Sequence, residues 1–180
     1  IESETPRKEF GFDKKRFGIV TLHRPSNVDA KETLVSLLSA LKESAVRVPL
    51  IFPLHPRTRK NLKNNDLLDD FMAAPGIHVI EPLNYIRFMG LVCEAALVIT
   101  DSGGIQEETT YLDIPCITLR ENTERPITLT SGTNRLATIT DLRGYVSDIL
   151  AGKWPSGRRP DLWDGKTASR VINDLQHRLG

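Results

Sequence analysis

Short apolar runs and longer amphipathic segments alternate along the chain from residue 17 onward. Each short run is apolar throughout, rich in β-branched residues and bounded by Pro, Gly or charged residues, a pattern that predicts a strand buried on both faces. The six predicted strands span residues 17–22, 48–54, 77–83, 96–100, 115–119 and 134–139. Strands buried on both faces are typical of parallel sheets, so we expect a parallel sheet.

The longer segments have the apolar spacing of helices. The clearest is residues 30–44, in which Leu34, Leu37, Leu38 and Leu41 form one apolar stripe. Further helices are predicted at residues 66–73, 84–95, 104–112, 140–151 and 165–178, the last with Asp164 as its N-cap. The repeated β-α order predicts the α/β class, with an open parallel, Rossmann-like sheet that carries helices on both faces.

The first 15 residues differ from the rest of the chain. They are mostly polar and include a proline and a glycine, which predicts a lead-in or interdomain linker. We therefore place the packed domain at residues 16–180. The first residue is not Met and no apolar signal-peptide core follows it, so we expect a piece of a longer protein.

Composition and charge narrow the classes of function. Of the 180 residues, 39% are hydrophobic and 26% charged, which fits a soluble globular domain and excludes disorder and collagen-like repeats. The net charge of +1 does not indicate a nucleic acid or an anionic membrane as a partner, and no apolar run is long enough to span a bilayer. We expect Cys93 and Cys116, in apolar surroundings, to be buried and reduced, which favours a cytoplasmic protein.

Residues 98–109 (VITDSGGIQEET) are the most informative segment. They predict a strand, a turn containing Ser102, Gly103 and Gly104, and then a helix. The free N–H groups and the dipole at the start of that helix favour an anion, so the turn suits a phosphate or diphosphate. Glu108 follows one helical turn beyond Gly104, within reach of the ribose of a bound nucleotide. The alternative is a purely structural Gly-Gly turn followed by a solvated acidic face.

Two other segments should lie near this turn, because ligands of open α/β sheets bind beyond the carboxyl ends of the strands. His23 and Arg24 follow the first predicted strand and offer an acid-base group and a fixed positive charge; a structural hydrogen bond is the alternative for His23. In the loop at residues 119–134, Arg125 stands before Pro126 and suits either a bidentate contact with an anion or an ordinary ion pair.

The remaining candidates carry weaker signals. Leu83 and Phe88 follow the third predicted strand and suit the wall of a pocket for a flat base, although core packing explains them equally well. The basic run at residues 57–60, after His55, is expected to be solvated surface, and His78 and His177 receive no functional role. The sequence shows neither zinc-ligand spacing nor a Gly-x-Ser-x-Gly turn, so metal binding and covalent acyl chemistry have no support.

Taken together, six segments resemble the C-terminal domain of the non-hydrolysing UDP-N-acetylglucosamine 2-epimerases. They are TLHRPSNV, HVIEPLNYIRFMGLV, VITDSGGIQEET, IPCITLRENTERP, SGTN and WDGKTASRVI, in the family's order from about Phe17 to the C-terminus. The resemblance implies the C-terminal half of a two-domain glycosyltransferase-B-type fold. It implies interconversion of UDP-GlcNAc and UDP-ManNAc by elimination and re-addition of UDP, with no cofactor, in a homodimer that serves polysaccharide synthesis.

The same resemblance assigns roles to single residues. It implies that Ser102, Gly103 and Gly104 contact the diphosphate of the UDP-sugar and that Glu108 contacts the ribose.

The resemblance also implies a uracil pocket formed by the backbone of Leu83 and by Phe88. His23, in a supporting catalytic role, and Arg125 should face the phosphates and the sugar. The acids that move the C2 proton belong to the family's N-terminal domain, which this chain lacks. We therefore expect the chain alone to be inactive.

Three positions depart from the family's common pattern. Pro25 and Ser26 stand where many members have Arg and Glu, and Ile127 stands where many have Glu. These departures argue against carrying over the activation by substrate that the family shows near its His-Arg segment. Three other functions stay open: a hydrolysing 2-epimerase, the donor-binding half of a UDP-sugar glycosyltransferase, and a non-catalytic α/β module.

Overall fold

The computed structural model describes residues 6–179, in which six parallel strands form one sheet. The strands are β1 (Gly18–Thr21), β2 (Leu50–Pro53), β3 (Ile77–Ile80), β4 (Leu97–Thr100), β5 (Cys116–Leu119) and β6 (Asn134–Ala137). Their order across the sheet is β3-β2-β1-β4-β5-β6. This order is that of a doubly wound α/β sheet, so the predicted Rossmann-like fold is confirmed.

Nine α-helices occur in the described residues. They are α1 (Pro25–Val28), α2 (Lys31–Ala45), α3 (Pro56–Asn64), α4 (Leu68–Met72), α5 (Tyr85–Glu94), α6 (Gly103–Leu112), α7 (Ile127–Thr130), α8 (Leu142–Leu150) and α9 (Thr167–Leu179). Two short 3-10 helices lie at Pro6–Phe10 and Ile139–Asp141. The predicted helices at residues 30–44, 84–95, 104–112 and 140–151 match α2, α5, α6 and α8 closely.

Helices α1, α3 and α7 were not predicted. Helices α1 and α7 have four residues each, too few to show an apolar period. Helix α3 lies in the basic run at residues 57–60 and begins at Pro56, where proline fits the first helical position. The side chain of His55 caps it by accepting the Arg57 N–H at 3.2 Å. The basic run faces solvent as predicted, and Arg57 pairs there with Asp29.

Helix α9 begins at Thr167, so the prediction of Asp164 as its N-cap was wrong. The Asp164 carboxylate instead accepts the Lys166 N–H at 3.0 Å and pairs with Arg170 at 2.9 Å. These bonds keep the segment before Thr167 in a turn. Helix α9 has no buried residue within the described part of the chain.

Both faces of the sheet are covered, as predicted. Strand residues alternate between the two faces, so Leu50 and Phe52 lie in one hydrophobic core and Ile51 in the other. The first core takes in the predicted apolar stripe of α2. The second core is closed by Leu91 and Val92 of α5.

The N-terminal segment packs against the second core, so the packed part of the chain begins before residue 16. Phe10 and Phe12 contact this core, and the ring of Phe12 lies 5.8 Å from that of Phe17. The Lys15 N–H donates to the Glu94 carbonyl at 2.7 Å. Partial burial of these two apolar side chains explains the packing, although most of the surrounding segment is polar. A linking role for residues 1–15 stays a prediction, and residues 1–5 lie outside the described part.

The two cysteines differ in environment. Cys116 is fully buried in β5, and burial raises the pKa of its thiol to about 11. Cys93 is exposed on α5, so the prediction that it is buried was wrong. An amphipathic helix keeps one face in solvent even where its sequence is largely apolar, and Cys93 lies on that face.

Candidate functional site

The candidate site lies where β1 and β4 end side by side. These strands pair from Gly18 with Leu97 to Thr21 with Thr100. The connections from β1 and β4 run to opposite halves of the sheet, which makes this the switch point where open α/β sheets bind ligands. His23 follows β1 and Ser102 follows β4, so the structure brings the two predicted segments together.

Asp101 holds these segments in place. Its carboxylate has no exposed surface, and its Oδ2 accepts the N–H groups of His23 at 3.0 Å and Arg24 at 2.8 Å. The same oxygen accepts a bond from Asn27 Nδ2 at 3.1 Å, and Asn27 also donates to the Leu119 carbonyl. One buried carboxylate thus ties the ends of β1, β4 and β5 together.

The His23 side chain is part of this arrangement. Its Nδ1 lies 3.1 Å from Asp101 Oδ1, and its ring centroid lies 5.1 Å from that of His55. Burial lowers the pKa of His55, and the neighbouring His23 adds to that effect. His23 is 39% exposed, which leaves its other edge open to a ligand. Both the structural and the catalytic interpretation of His23 fit this geometry.

The turn after β4 leads directly into α6. Ser102 has extended backbone angles and is the N-cap residue, and its own N–H donates to Thr100 Oγ1 at 3.0 Å. Gly103 and Gly104 open the helix, where the first N–H groups have no acceptor within the helix itself. This is the arrangement expected for an anion site.

A carboxylate already lies beside this helix start. A side chain at Gly103 would bring its Cβ within 2.5 Å of Glu124 Oε1, so the Glu124 side chain would have to move away from the helix start. Glu124 Oε2 pairs with Arg120 Nη2 at 2.6 Å, and Oε1 lies 3.8 Å from Arg24 Nη2. The bond from Arg120 holds the pKa of Glu124 at about 2, well below its usual 4.5.

Glu108 lies in a groove between α5 and α6. Its Oε1 accepts a hydrogen bond from the Tyr85 hydroxyl at 2.9 Å, which raises the pKa of Tyr85. Its Oε2 is buried and has no hydrogen-bond partner among residues 6–179. The groove has a volume of about 380 Å³ and includes Met89, Tyr111 and Trp163 in its walls. An unpaired buried carboxylate oxygen is costly unless a ligand donates to it.

Leu83 and Phe88 lie at the start of α5 and pack, half-buried, against the second core together with Ile105 of α6. Their packing satisfies the structural interpretation, and the uracil pocket stays a prediction.

Arg125 faces α6 from the loop after β5. Its Nε lies 3.2 Å from Glu107 Oε1 as an ion pair, but this contact lacks hydrogen-bond geometry, and the buried Nε has no hydrogen-bond partner in the described part of the chain. The Arg125 N–H donates to Thr123 Oγ1 at 3.0 Å, and Thr123 donates to Gln106 Oε1 at 2.6 Å. Arg125 thus has a fixed backbone and a guanidinium with unused hydrogen-bonding capacity.

A buried polar network supports this loop. Asn134 Nδ2 donates to Gln106 Oε1 and to Thr128 Oγ1, both at 3.1 Å, and Asn134 Oδ1 accepts from Thr118 Oγ1 at 2.7 Å. Thr128 in turn donates to the Arg125 carbonyl at 2.7 Å. All four network side chains are buried, so the network connects β5, β6 and α6 to the loop that carries Arg125.

Sequence reasoning missed Asp101, Glu124 and Tyr85. A carboxylate directly after a fully apolar strand was the available signal for Asp101, because such a group is buried only when it has partners. No sequence signal pairs Tyr85 with Glu108 or Glu124 with Gly103, since both contacts depend on the packing of separate elements.

Within residues 6–179, no group of three or more His, Cys, Asp or Glu side chains is placed to hold a metal ion. No helix in that range is long and apolar enough to cross a membrane.

Comparison with known proteins gives consistent matches. A protein-family model described as UDP-N-acetylglucosamine 2-epimerase matches residues 1–176. The UDP-N-acetylglucosamine 2-epimerase of Methanocaldococcus jannaschii is 38% identical over 162 residues, which cover 88% of this chain and 44% of that protein. The UDP-2,3-diacetamido-2,3-dideoxy-D-glucuronate 2-epimerase of Pseudomonas aeruginosa is 38% identical over 67% of this chain and 32% of that protein.

A solved structure is also similar. The crystal structure of the Methanocaldococcus jannaschii UDP-GlcNAc 2-epimerase in complex with UDP-GlcNAc and UDP aligns with a TM-score of 0.82 and 37% identity. The alignment covers 98% of this chain and 49% of that one. The chain therefore spans about half the length of the relatives that it matches.

Proposed function

Because the chain belongs to the UDP-N-acetylglucosamine 2-epimerase family, we propose that it is the UDP-binding domain of an enzyme that interconverts UDP-GlcNAc and UDP-ManNAc. In this reaction a base removes the C2 proton and the bond from C1 to the diphosphate oxygen breaks. UDP departs, and the sugar that remains has a double bond between C1 and C2. UDP then adds back to C1, and C2 is protonated on the opposite face. The acidic residues that remove and return the C2 proton belong to an N-terminal domain of the longer protein, and this chain binds the UDP.

Two features of α6, one helical turn apart, carry this proposal. They are the free N–H groups at the start of the helix and the unpaired oxygen of Glu108. The first suits the diphosphate and the second suits a ribose hydroxyl, which donates a hydrogen bond to a carboxylate. The distance along the helix matches a nucleotide whose phosphates lie at the N-terminus. His23, which lies 3.1 Å from Asp101 just before this turn, and Arg125, which pairs with Glu107 of α6, would stabilise the negative charge that develops on the leaving diphosphate.

The partners, the cellular location and the role of the full-length protein follow from the same proposal. The partners are a UDP-sugar and the N-terminal domain, whose closure over this chain brings the acids to the sugar. The full-length protein is a cytoplasmic homodimer that supplies polysaccharide synthesis and needs no cofactor. Leu83 and Phe88 hold the uracil.

The first test is calorimetric titration of the chain with UDP, with UMP, ADP and GDP at the same ionic strength for comparison. We expect selective binding of UDP, because the site combines a diphosphate turn with a pocket for uracil. Equal affinities for UDP and UMP would exclude the assignment of the turn at the start of α6 to the diphosphate. Equal binding of UDP and the purine nucleotides would remove the uracil assignment.

Glu108→Ala tests the ribose contact. We expect it to weaken UDP binding by about 1–3 kcal/mol, the usual cost of losing a hydrogen bond to a charged group. Glu32→Ala is the matched control, since Glu32 is exposed in the first turn of α2. An affinity of the Glu108→Ala variant equal to that of the control would exclude the ribose assignment.

An assay of the full-length protein tests the proposed activity. Incubation with UDP-GlcNAc should give UDP-ManNAc, measured by nuclear magnetic resonance. Release of free ManNAc and UDP would identify a hydrolysing enzyme instead, and transfer of the sugar to an added acceptor without epimerisation would identify a glycosyltransferase.

A further inference from the structure

Glu124 places a negative charge beside the helix start that the proposed function assigns to a diphosphate. Its Oε1 lies 2.5 Å from the position that a Cβ on Gly103 would occupy. Because a carbon–carbon single bond is about 1.5 Å long, this oxygen lies within about 4 Å of the Gly103 Cα atom. The Glu124 side chain is 46% exposed, so it is accessible to a ligand.

Two arginines hold the Glu124 carboxylate in this place. Arg120 Nη2 lies 2.6 Å from Oε2, and Arg24 Nη2 lies 3.8 Å from Oε1. The Arg120 side chain is only 9% exposed, which restricts the movement of its guanidinium and of the carboxylate that it bonds. The bond from Arg120 also keeps the pKa of Glu124 at about 2, so this carboxylate is ionised throughout the physiological pH range.

The charges around the start of α6 balance one another. The charged and titratable groups there are His23 and Arg24 after β1, His55 after β2, Asp101 after β4, Glu107 on α6, and Arg120, Glu124 and Arg125 in the loop after β5. Apart from the histidines, they are three guanidinium groups and three carboxylates. The surroundings therefore lack the excess of positive charge that would favour a highly charged anion.

UDP and a UDP-sugar differ in charge at the phosphate farther from the nucleoside. In a UDP-sugar this phosphate is esterified on both sides and carries one negative charge. In free UDP it is terminal, and like a phosphate monoester it has a second pKa of about 6, so it carries nearly two negative charges at about pH 7.5. A phosphate oxygen that accepts an N–H of the first turn at about 2.9 Å lies roughly 5 Å from Glu124 Oε1.

We propose that Glu124 is a specificity-determining residue that favours a UDP-sugar over free UDP, because its carboxylate repels the second charge on the terminal phosphate. This inference rests on the proposed function, since the diphosphate has to bind at the start of α6. Two unit charges about 5 Å apart in water repel each other enough to lower an affinity by about fourfold. The domain therefore binds its nucleotide-sugar with less competition from free UDP.

Calorimetric titration of the chain with UDP and with UDP-GlcNAc at about pH 7.5 tests this role. Glu124→Gln should raise the affinity for UDP-GlcNAc by about fourfold and that for UDP by about sixteenfold, since the terminal phosphate of UDP carries twice the charge. Glu121→Gln is the matched control, because Glu121 is exposed in the same loop and has no hydrogen bond or ion pair to any residue from 6 to 179. It should change both affinities equally, by less than about twofold.

The same titrations at about pH 5 add a measurement that a purely structural role of Glu124 would not change. At that pH the terminal phosphate of UDP carries about one negative charge, whereas Glu124 stays ionised. The gains that Glu124→Gln gives for the two ligands should therefore become equal. His23 and His55 are present in both chains, so any change in their charge affects both chains alike.

Glu124→Asp provides a second variant if Glu124→Gln fails to fold. Aspartate keeps the negative charge that pairs with Arg120, but its shorter side chain withdraws the carboxylate from Gly103. We expect smaller gains in affinity than for Glu124→Gln, again larger for UDP than for UDP-GlcNAc.

Two outcomes separate this inference from the proposed function. Equal gains for both ligands at about pH 7.5, or a loss of affinity in Glu124→Gln that Glu121→Gln does not show, would overturn the inference and leave the UDP-binding domain intact. Failure of the native chain to bind either ligand would overturn the proposed function and this inference with it.

Discussion

Replacement of Asp101 tests whether one carboxylate holds the candidate site together. In the native chain this group accepts the N–H groups of His23 and Arg24 and the Asn27 amide, with distances of 2.8 to 3.1 Å to Oδ2. Asp101→Ala removes the acceptor of these three bonds and leaves a cavity between β1 and β4, and the Asn27 amide keeps only its bond to the Leu119 carbonyl. The side chain is fully buried, so water does not replace it without movement of the backbone.

The expected loss in the free energy of unfolding depends on how many hydrogen-bond donors lose their acceptor and on how deeply they are buried. Each buried donor without a partner costs about 1–3 kcal/mol. His23 and Arg24 are half-buried and regain water when their segment opens, so the lower part of that range applies to their N–H groups. We expect a loss of about 3–5 kcal/mol in the free energy of unfolding, which lowers the melting temperature by roughly 10 °C for a domain of this size.

Thermal unfolding followed by circular dichroism measures this loss. Asp101→Asn keeps one acceptor oxygen and should lose about half as much as the Ala variant. Asp161→Ala is the matched control, because Asp161 is exposed and has no hydrogen bond or ion pair to any residue from 6 to 179. A melting temperature of Asp101→Ala within about 2 °C of this control would refute the role assigned to the carboxylate.

Two further predictions concern the glycine before β6 and the carboxylate beside α6. A Cβ at Gly132 would collide with Thr110 Oγ1 and come within 2.5 Å of the Thr128 carbonyl oxygen, so Gly132→Ala should destabilise the chain by about 1–3 kcal/mol in urea unfolding. Gly144→Ala, with no described atom within 4 Å of the new Cβ outside its own helix, should be neutral or gain up to about 1 kcal/mol, and equal losses in both variants would contradict this account. Because the folded-state pKa of Glu124 is about 2, below the usual 4.5, its contribution to stability is present above about pH 4.5 and is lost as the pH falls toward 2. The melting temperatures of the native chain and Glu124→Gln should therefore converge over that interval, and a difference that stays constant down to pH 2 would show that the ionised carboxylate contributes nothing.

The sheet could be predicted from the sequence because its four inner strands are buried on both faces. Runs such as that at residues 96–100 are apolar, rich in β-branched residues and shorter than an ordinary helix, which together favour a buried strand. The Gly-Gly turn could be placed for a similar reason, since it directly follows one of these runs. Helices α1 and α7 could not be predicted, because single turns have no period and depend on the loops that surround them.

The side-chain contacts between residues of the site were much less predictable. Glu108 and Arg125 were identified as candidates from local motifs, but the Tyr85 hydroxyl beside Glu108 and the Glu107 carboxylate beside Arg125 come from the packing of other elements. The N-terminal segment shows the same limit. Its polar residues predict a linker, and no local pattern predicts that Phe10 and Phe12 also pack against the second core. Pairwise contacts between distant segments leave no periodic trace in the sequence.

The polar network behind Arg125 means that the shape of this loop is encoded largely outside the loop. Gln106 belongs to α6, Thr118 to β5 and Asn134 to β6, yet together they fix Thr123 and Thr128, on either side of Arg125. A loop transplanted from a relative will adopt this shape only if the recipient supplies the same three buried side chains. Engineering of the site by exchange of surface loops must therefore move Gln106, Thr118 and Asn134 together with the loop.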